Sequence, residues 1–161
     1  MLYQLKSCLL SYSNYQIQDE NGDAIYQIKG KFWSFGHNLS FETSDGVQIG
    51  EIRQKLMAFM PRYDLYVGTK LYASIRKEFT WFKKSFTLDI PGPNDYTIQG
   101  NFWDYEYVFT RKKRTVATVS KKFLSLTDAY GVETEKGEDD VAILAAVVAI
   151  NMCRRDEKSA V

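Results

Sequence analysis

Residues Glu138-Asp139-Asp140-Val141-Ala142-Ile143-Leu144-Ala145-Ala146-Val147-Val148-Ala149-Ile150 place three acids before ten consecutive apolar residues. At 3.6 residues per turn, such a run is apolar around the whole circumference of a helix, so the helix must be enclosed by the rest of the chain. A membrane span needs about 20 apolar residues. This run stops at Asn151 and then meets Arg154 and Arg155. It therefore predicts a buried central helix over residues 138–153.

The three acids that precede the run have two interpretations. Acidic residues in the first turn complement the positive end of a helix dipole, and Arg154 and Arg155 would complement its negative end. A calcium loop would instead need alternating oxygen ligands, and the acids in this region do not match the spacing of an EF-hand. The sequence favours the dipole interpretation and leaves open whether Glu138-Asp139-Asp140 also binds a metal.

Length and composition indicate one folded domain over residues 1–161. The chain is 45% hydrophobic and 15% aromatic, with three prolines, which is typical of a globular protein. Its net charge of +1 gives no overall attraction to nucleic acid or membrane, so an electrostatic partner must be bound by a local patch. Two cysteines, Cys8 and Cys153, are predicted to be free thiols in a reducing compartment. The N-terminal residues lack a secretory signal, so we expect a cytoplasmic protein.

Short strand-like segments separated by turn residues precede the helix. Asn21-Gly22 can supply the positive φ angles of a tight hairpin, and Ser44-Asp45-Gly46 marks a second turn of the same kind. The first strand is predicted from Tyr3 to Leu9 and the last from Tyr130 to Glu133. About twelve strands are expected in total, with the regular spacing of a sandwich or barrel.

An internal repeat relates the two halves of the chain. Tyr26 to Trp33 and Tyr96 to Trp103 share Tyr, Ile, Gly, Phe and Trp in register, and Ile52 to Leu56 resembles Val119 to Phe123. The repeat predicts an internal pseudo-twofold. Twelve twisted strands left open would expose two edges, and closure removes them. We therefore predict a mainly β fold, a closed twelve-stranded antiparallel β-barrel that encloses the hydrophobic C-terminal helix.

Three segments resemble the LURP-one-related family. They are Phe32-Trp33-Ser34-Phe35-Gly36, the run from Lys121 to Val132, and Gly137-Glu138-Asp139-Asp140 followed by the apolar helix. That family belongs to the tubby C-terminal-like superfamily, together with the phospholipid scramblases. The resemblance implies a twelve-stranded barrel wrapped around a hydrophobic helix. Leu124 and Leu126 stand where an aromatic residue is expected in many relatives.

For function, the resemblance implies two lipid-related activities. Tubby domains bind phosphatidylinositol bisphosphate through basic residues, and scramblases move phospholipids and bind calcium. A shared fold does not by itself assign either activity to this chain, because one fold hosts many functions. The choice between them depends on the residues that could form a site.

No residue pattern in the chain predicts an enzyme. His37 is the single histidine and has no nucleophile motif near it, so neither a catalytic triad nor a His-rich zinc site is predicted. The glycines form neither a Walker motif nor a dinucleotide-binding fingerprint. We expect a non-enzymatic protein without catalytic residues or cofactor, and we assign no metal-binding residue.

Two basic clusters are the candidates for a lipid-headgroup site. One is the turn formed by Arg111, Lys112, Lys113 and Arg114; the other is the pair Lys83 and Lys84, preceded by the interfacial aromatic candidates Trp81 and Phe82. Basic residues near a membrane surface attract anionic lipid by about 1 kcal/mol each, while aromatic side chains can sit among the headgroups. The alternative is that these charges only solvate turns and protect strand edges.

Three functions remain open from the sequence. The first is binding of anionic phospholipid or phosphoinositide headgroups by a cytoplasmic protein that associates peripherally with a membrane. The second is a structural or protein-interaction module without a lipid ligand. The third is scramblase-like activity, for which the terminal helix is short and alanine-rich as an anchor. Nucleic acid is not expected as a partner, and the oligomeric state does not follow from the sequence.

Overall fold

A closed barrel of twelve antiparallel strands surrounds one helix in the computed structural model, which describes residues 1–7, 14–31, 35–123 and 129–160. The strands are β1 (Leu2–Ser7), β2 (Tyr15–Gln18), β3 (Ala24–Gly30), β4 (Asn38–Thr43), β5 (Gln48–Gln54), β6 (Arg62–Val67), β7 (Lys70–Glu78), β8 (Ser85–Asp89), β9 (Tyr96–Asn101), β10 (Glu106–Arg111), β11 (Arg114–Ser120) and β12 (Ala129–Thr134). Each strand pairs with its neighbours in sequence, and β1 closes the barrel by pairing with both β2 and β12. The predicted fold is confirmed.

Several features named from the sequence lie outside the described residues. These are Cys8 and the end of the predicted first strand, the repeat residues Phe32 and Trp33, and the two leucines at 124 and 126.

Alternating side chains give each strand an inward apolar face. In β9, Tyr96 and Ile98 are buried, whereas Thr97 and Gln99 between and beyond them are exposed. Every strand contributes at least one buried side chain of this kind: Leu5, Ile17, Ile28, Phe41, Ile52, Leu65, Ile75, Leu88, Ile98, Phe109, Val119 and Val132. These side chains form the core around the helix.

The helix α1 (Asp140–Ser159) fills the interior, with every residue from Ala142 to Cys153 buried. A twelve-stranded barrel is wider than its own side chains can fill, and a helix about 10 Å across occupies the remaining space. Enclosure on all sides is what the all-apolar run predicted.

The helix starts two residues later and ends six residues later than the predicted 138–153. Asp139 is the N-cap, and its carboxylate accepts a hydrogen bond from the backbone N–H of Ala142 at 3.0 Å. At the other end, Arg154 donates to the hydroxyl of Tyr105, and Glu157 accepts from Lys77. Charged residues that find partners on the barrel rim extend the helix beyond its apolar run.

The up-and-down topology gives the barrel two distinct mouths. The N-terminal mouth, where α1 begins, carries the β2–β3, β4–β5, β6–β7, β8–β9 and β10–β11 turns. The C-terminal mouth, where α1 ends, carries the β3–β4, β5–β6, β7–β8, β9–β10 and β11–β12 connections. Successive connections alternate between mouths because every pair of neighbouring strands is antiparallel.

The repeated segments lie half a circuit apart. The repeats beginning at Tyr26 and Tyr96 fall on β3 and β9, and those beginning at Ile52 and Val119 fall on β5 and β11. Both pairs are separated by six strands of the twelve-stranded barrel. This is the arrangement expected of a pseudo-twofold along the barrel axis.

Three tyrosines of the barrel bind the acids at the start of α1. Arg111 adds an ion pair to Glu138, with the guanidinium 2.7 Å from the carboxylate. Among the described residues, no cluster of three or more His, Cys, Asp or Glu side chains is placed to hold a metal ion. The tyrosine hydroxyls donate as follows: Tyr3 to Asp140 at 2.6 Å, Tyr72 to Asp139, and Tyr96 to Glu138 at 2.8 Å.

These hydrogen bonds predict a loss of stability at high pH. The bond to Asp139 and then burial raise the pKa of Tyr72 to about 12; burial and then the bond to Glu138 raise the pKa of Tyr96 to about 12. The unfolded tyrosine pKa is about 10. Since the folded pKa is the higher one, the protonated hydroxyls contribute stability that is complete below pH about 10 and is lost as pH rises through about 12.

Urea denaturation across this range would measure the effect. We expect the free energy of unfolding to fall above pH about 10, and to fall less steeply in Tyr72→Phe. Tyr66→Phe is the control, because the Tyr66 ring lies under Arg53 and contacts none of the three acids. A free energy of unfolding that stays constant up to pH about 12 would contradict this account.

Candidate functional site

The two basic clusters predicted from the sequence lie at opposite mouths of the barrel. Lys83 and Lys84 end the β7–β8 connection at the C-terminal mouth, whereas Lys112 and Lys113 form the β10–β11 turn at the N-terminal mouth. A flat membrane that contacts one mouth end-on does not reach the other. The clusters are therefore two separate candidate sites, not parts of one surface.

Half of the charge in the β10–β11 cluster is already paired. The Arg111 guanidinium lies 2.7 Å from the carboxylate of Glu138 and over the ring of Tyr96, and Arg114 lies 3.4 Å from Glu135. In the part of the chain that the structure describes, Lys112 and Lys113 are the members of this cluster without a side-chain partner. The pattern of four consecutive basic residues overstated the charge of this turn, because the acids that pair with it are distant in sequence.

The central residues of this turn have an unusual backbone conformation. Lys112 and Lys113 have φ of 49° and 65°, so the two-residue hairpin has positive φ at both positions. Asn-Gly is the usual sequence of such a turn, because positive φ brings the Cβ of most other residues too close to a backbone carbonyl oxygen. The pair can therefore be replaced by Lys112→Asn with Lys113→Gly, which removes two charges and suits the turn better.

Charge is distributed unequally between the two mouths. Connections of the C-terminal mouth that lie in the described part of the chain carry six lysines and one acid: Lys31, Lys55, Lys83, Lys84, Lys121 and Lys122 against Asp104. The N-terminal turns together with the β12–α1 connection carry eight acids and three lysines: Asp19, Glu20, Asp23, Asp45, Asp95, Glu135, Glu138 and Asp139 against Lys112, Lys113 and Lys136. The barrel thus has a positive and a negative mouth despite its balanced net charge.

Exposed aromatic and apolar side chains gather at the positive mouth. Trp81 and Phe82 are 83% and 97% exposed, and Phe35 and Phe59 on two other connections are 94% and 93% exposed. We call the exposed apolar residues of this mouth the apolar rim: Phe35, Leu56, Met57, Phe59, Phe79, Trp81, Phe82 and Trp103. Such a collection of large apolar side chains in water is characteristic of an interaction surface.

Sequence reasoning identified only two members of the apolar rim. Phe35 belongs to the segment that carried the family resemblance, and Phe59 lies in Leu56-Met57-Ala58-Phe59-Met60-Pro61. The latter run does not alternate with polar residues, and it ends at a proline directly before β6. Those features indicate a loop with exposed apolar residues, so Phe59 could have been predicted from the sequence as a member of the rim.

Lys84 connects the apolar rim to the end of the helix. Its ammonium lies 2.7 Å from the carboxylate of Glu157 and 4.9 Å from the centre of the Trp103 ring. Glu157 also accepts a hydrogen bond from Lys77, and burial lowers the pKa of the Lys77 ammonium. One carboxylate thus faces two lysines, so the positive charge is only partly compensated.

His37, the single histidine, and Cys153 each contact another element of the fold. His37 lies 2.9 Å from Asp156 and ties the β3–β4 connection to the end of α1. Cys153 is buried beside Tyr63, and burial raises the pKa of its thiol to about 12. A thiol held in the protonated form is a weak nucleophile.

No described helix is both long and apolar enough to cross a membrane.

Comparisons with known proteins agree with this architecture. A family model described as LURP-one-related matches residues 1–151. The uncharacterised protein YxjI of Bacillus subtilis (strain 168) is 30% identical over 149 residues, which cover 92% of this chain and 90% of that protein. A solved structure from Arabidopsis thaliana matches with a TM-score of 0.69 and 13% identity, over 96% of this chain and 91% of the other. At that identity the structural likeness concerns the fold.

Proposed function

This chain belongs to the LURP-one-related family, and on that premise we propose that it is a non-enzymatic barrel that binds anionic phospholipid membranes peripherally. The observation that supports this function is the coincidence of six lysines with the apolar rim at one mouth. Two of the six, Lys31 and Lys84, are paired with a carboxylate. The opposite mouth is acidic. The membrane would therefore contact the barrel end-on, at the C-terminal mouth.

The two parts of this surface would contribute different terms to binding. Each lysine near an anionic surface contributes about 1 kcal/mol, a term that falls off within the Debye length. Aromatic side chains at the headgroup level add an apolar term that salt does not screen. Repulsion of the acidic mouth from the same surface would orient the approaching barrel.

The composition of the surface favours a membrane over a protein partner. Protein–protein interfaces are enriched in aromatic residues and arginine but depleted in lysine. Here the aromatics are accompanied by lysines, while Arg154 at the end of α1 is bonded to Tyr105 and Asn151. Scramblase-like activity gains no support from the helix, because α1 is enclosed by the barrel and offers no apolar face to a bilayer.

Sedimentation with lipid vesicles tests the proposal. We expect binding to phosphatidylcholine vesicles that contain phosphatidic acid, and little binding to phosphatidylcholine alone. Raising the salt concentration from about 0.1 M to about 1 M shortens the Debye length from about 10 Å to about 3 Å and should weaken binding strongly. Equal binding to neutral and anionic vesicles, or binding to neither, would contradict the proposal and favour a protein-interaction module.

Matched variants identify the mouth that contacts the membrane. Lys55→Gln with Lys122→Gln removes two exposed charges from the C-terminal mouth and should weaken binding by roughly 30-fold, at about 1 kcal/mol per lysine. Lys112→Asn with Lys113→Gly removes the same charge from the opposite mouth and should leave binding unchanged. If the second variant loses binding and the first does not, the membrane contacts the N-terminal mouth.

A double aromatic variant measures the apolar term separately. Trp81→Ser with Phe82→Ser removes two side chains that are almost fully exposed, so the fold should keep its stability. Binding should weaken, and the loss should persist at high salt because it is not electrostatic. A loss that disappears at about 1 M salt would argue against insertion of these rings.

A further inference from the structure

A groove opens in the apolar rim where two neighbouring strands stop pairing. The β8–β9 ladder ends at the pair Ser85 and Gln99, and beyond it the two chain segments separate. The space between them has a volume of about 580 Å³. That is within the range of about 300–1,000 Å³ found for small-molecule sites. It is lined by Phe82, Lys83, Lys84, Gln99, Gly100 and the segment 101–103.

The walls of the groove differ in chemistry. Phe82 and Trp103 are exposed and provide two aromatic faces. Phe102, in the β9–β10 connection, is 5% exposed and forms an apolar base. Lys83 and Lys84 lie along one edge. A ligand with an anionic group at one end and an apolar group at the other would match both kinds of wall.

Donors in the groove are available for such a ligand. The Lys83 ammonium and the Gln99 carboxamide have no side-chain partner within the described ranges, and both residues are exposed. The amide of Asn101 is occupied by Asp104, to which it donates at 2.6 Å. Two ammonium groups and one carboxamide are thus placed around the same volume, a set of donors suited to phosphate oxygens.

Lys84 is held in the absence of ligand by a carboxylate that a phosphate could replace. Its ammonium donates to Glu157 at 2.7 Å, and Glu157 keeps a second lysine, Lys77, when Lys84 leaves. The Lys84 side chain is 45% exposed and can therefore turn toward the groove. When Lys84 leaves, the Glu157 carboxylate is still paired with the Lys77 ammonium.

We propose that this groove binds the phosphate-bearing headgroup of an anionic phospholipid, with Lys83 and Lys84 contacting the phosphate and with Glu157 competing for Lys84. The ring of Trp103 packs against the glycerol part of the ligand, and Phe82 extends toward the acyl chains. The inference rests on the proposed membrane-binding function and adds a defined headgroup site to it. It predicts that Glu157 weakens lipid binding, although Glu157 does not touch the lipid.

Nuclear magnetic resonance of the ¹⁵N-labelled protein with glycerol 3-phosphate tests the groove without any membrane. We expect saturable shifts of the Gly100 amide and the Trp103 indole signals, while signals of the opposite mouth such as Lys113 stay unchanged. Inorganic phosphate is the parallel probe. It should bind more weakly, because it lacks the glycerol part that contacts the ring.

Two substitutions with opposite expected effects identify the residues involved. Lys84→Gln should weaken glycerol 3-phosphate binding by about tenfold, since a charge-assisted hydrogen bond is lost. Glu157→Gln should strengthen it by up to about fivefold, the strength of a partly exposed ion pair. The amide of the new glutamine can still accept from Lys77, which keeps the end of the helix in place. Lys112→Gln is the control and should change neither affinity.

The outcomes separate this proposal from the membrane function. Vesicle binding that survives Lys84→Gln, with no shifts at Gly100 or Trp103, would reject the groove and leave peripheral membrane binding intact. Equal affinity for inorganic phosphate and glycerol 3-phosphate would assign the groove to free phosphate and overturn the lipid assignment. Binding of glycerol 3-phosphate by a protein that ignores anionic vesicles would reject both the membrane function and the lipid source.

Discussion

Leu144→Asp should prevent the chain from folding. Leu144 lies in the middle of α1 with no exposed surface, and every neighbouring helix position is equally buried. The substitution removes about 2 kcal/mol of apolar burial and places an unpaired carboxylate in the core, at a cost of several kcal/mol more. Because domains are stable by only about 5–15 kcal/mol, the sum is comparable to the whole free energy of unfolding.

Soluble expression and far-ultraviolet circular dichroism would measure this loss. The matched control is Leu71→Asp, which makes the same change at a position that is 39% exposed on β7. It should fold and melt close to the parent protein, since surface substitutions usually shift stability by about 0.5 kcal/mol or less. A Leu144→Asp protein that melts like the parent would show that the helix does not lie inside the barrel.

Gly100→Ala should destabilise the barrel strongly, because the added methyl group would meet backbone atoms at very short distances. Gly100 has φ of +145°, and an added Cβ would lie 2.4 Å from the carbonyl oxygen of Glu106 and 2.5 Å from the Cα of Tyr107. These are backbone atoms of the paired strand β10, so the ladder itself must move. Overpacking and the backbone conformation together should cost about 3 kcal/mol, which corresponds to roughly 10 °C in melting temperature.

Gly22→Ala separates the two contributions to that loss. Gly22 also has positive φ, +89°, but an added Cβ would meet no atom within 4 Å. It should therefore show only the conformational cost of about 1–2 kcal/mol. Thermal melts of the two variants would compare them directly. Equal losses would mean that β9 and β10 separate easily at Gly100 and that the close approach of the strands is not constrained.

The positions of the two basic clusters show how a strand count carries information about function. In an up-and-down barrel, connections after odd-numbered and even-numbered strands lie at opposite mouths. The β7–β8 connection with Lys83 and the β10–β11 turn with Lys112 therefore separate as soon as the order of strands is known. The sequence indicated about twelve strands and their turns, so the strand order was enough to predict that the two clusters lie at opposite mouths. The pattern of charges alone does not predict it.

The paired arginines illustrate what local patterns leave out. Arg111 and its partner Glu138 are 27 residues apart and meet only because β10 ends beside the start of α1. The acids of the helix start, predicted to complement the dipole, also bind tyrosines such as Tyr3, 137 residues away from Asp140. Pairing of this kind depends on which strands lie next to the helix, and no short window of sequence specifies it.

The sequence by itself determined the architecture of this protein. An apolar run around the whole helix requires enclosure, hairpin turns at short intervals require antiparallel neighbours, and a repeat requires two similar halves, so each local rule led to the same barrel. Only the tertiary structure showed which residues of the candidate site lie together. The exposure of Phe35 and Phe59, the lack of a side-chain partner for Lys83 among the described residues, and the ion pair of Lys84 with Glu157 all depend on how segments distant in sequence come together. Burial and charge pairing are properties of the folded surface, whereas periodicity is a property of the chain.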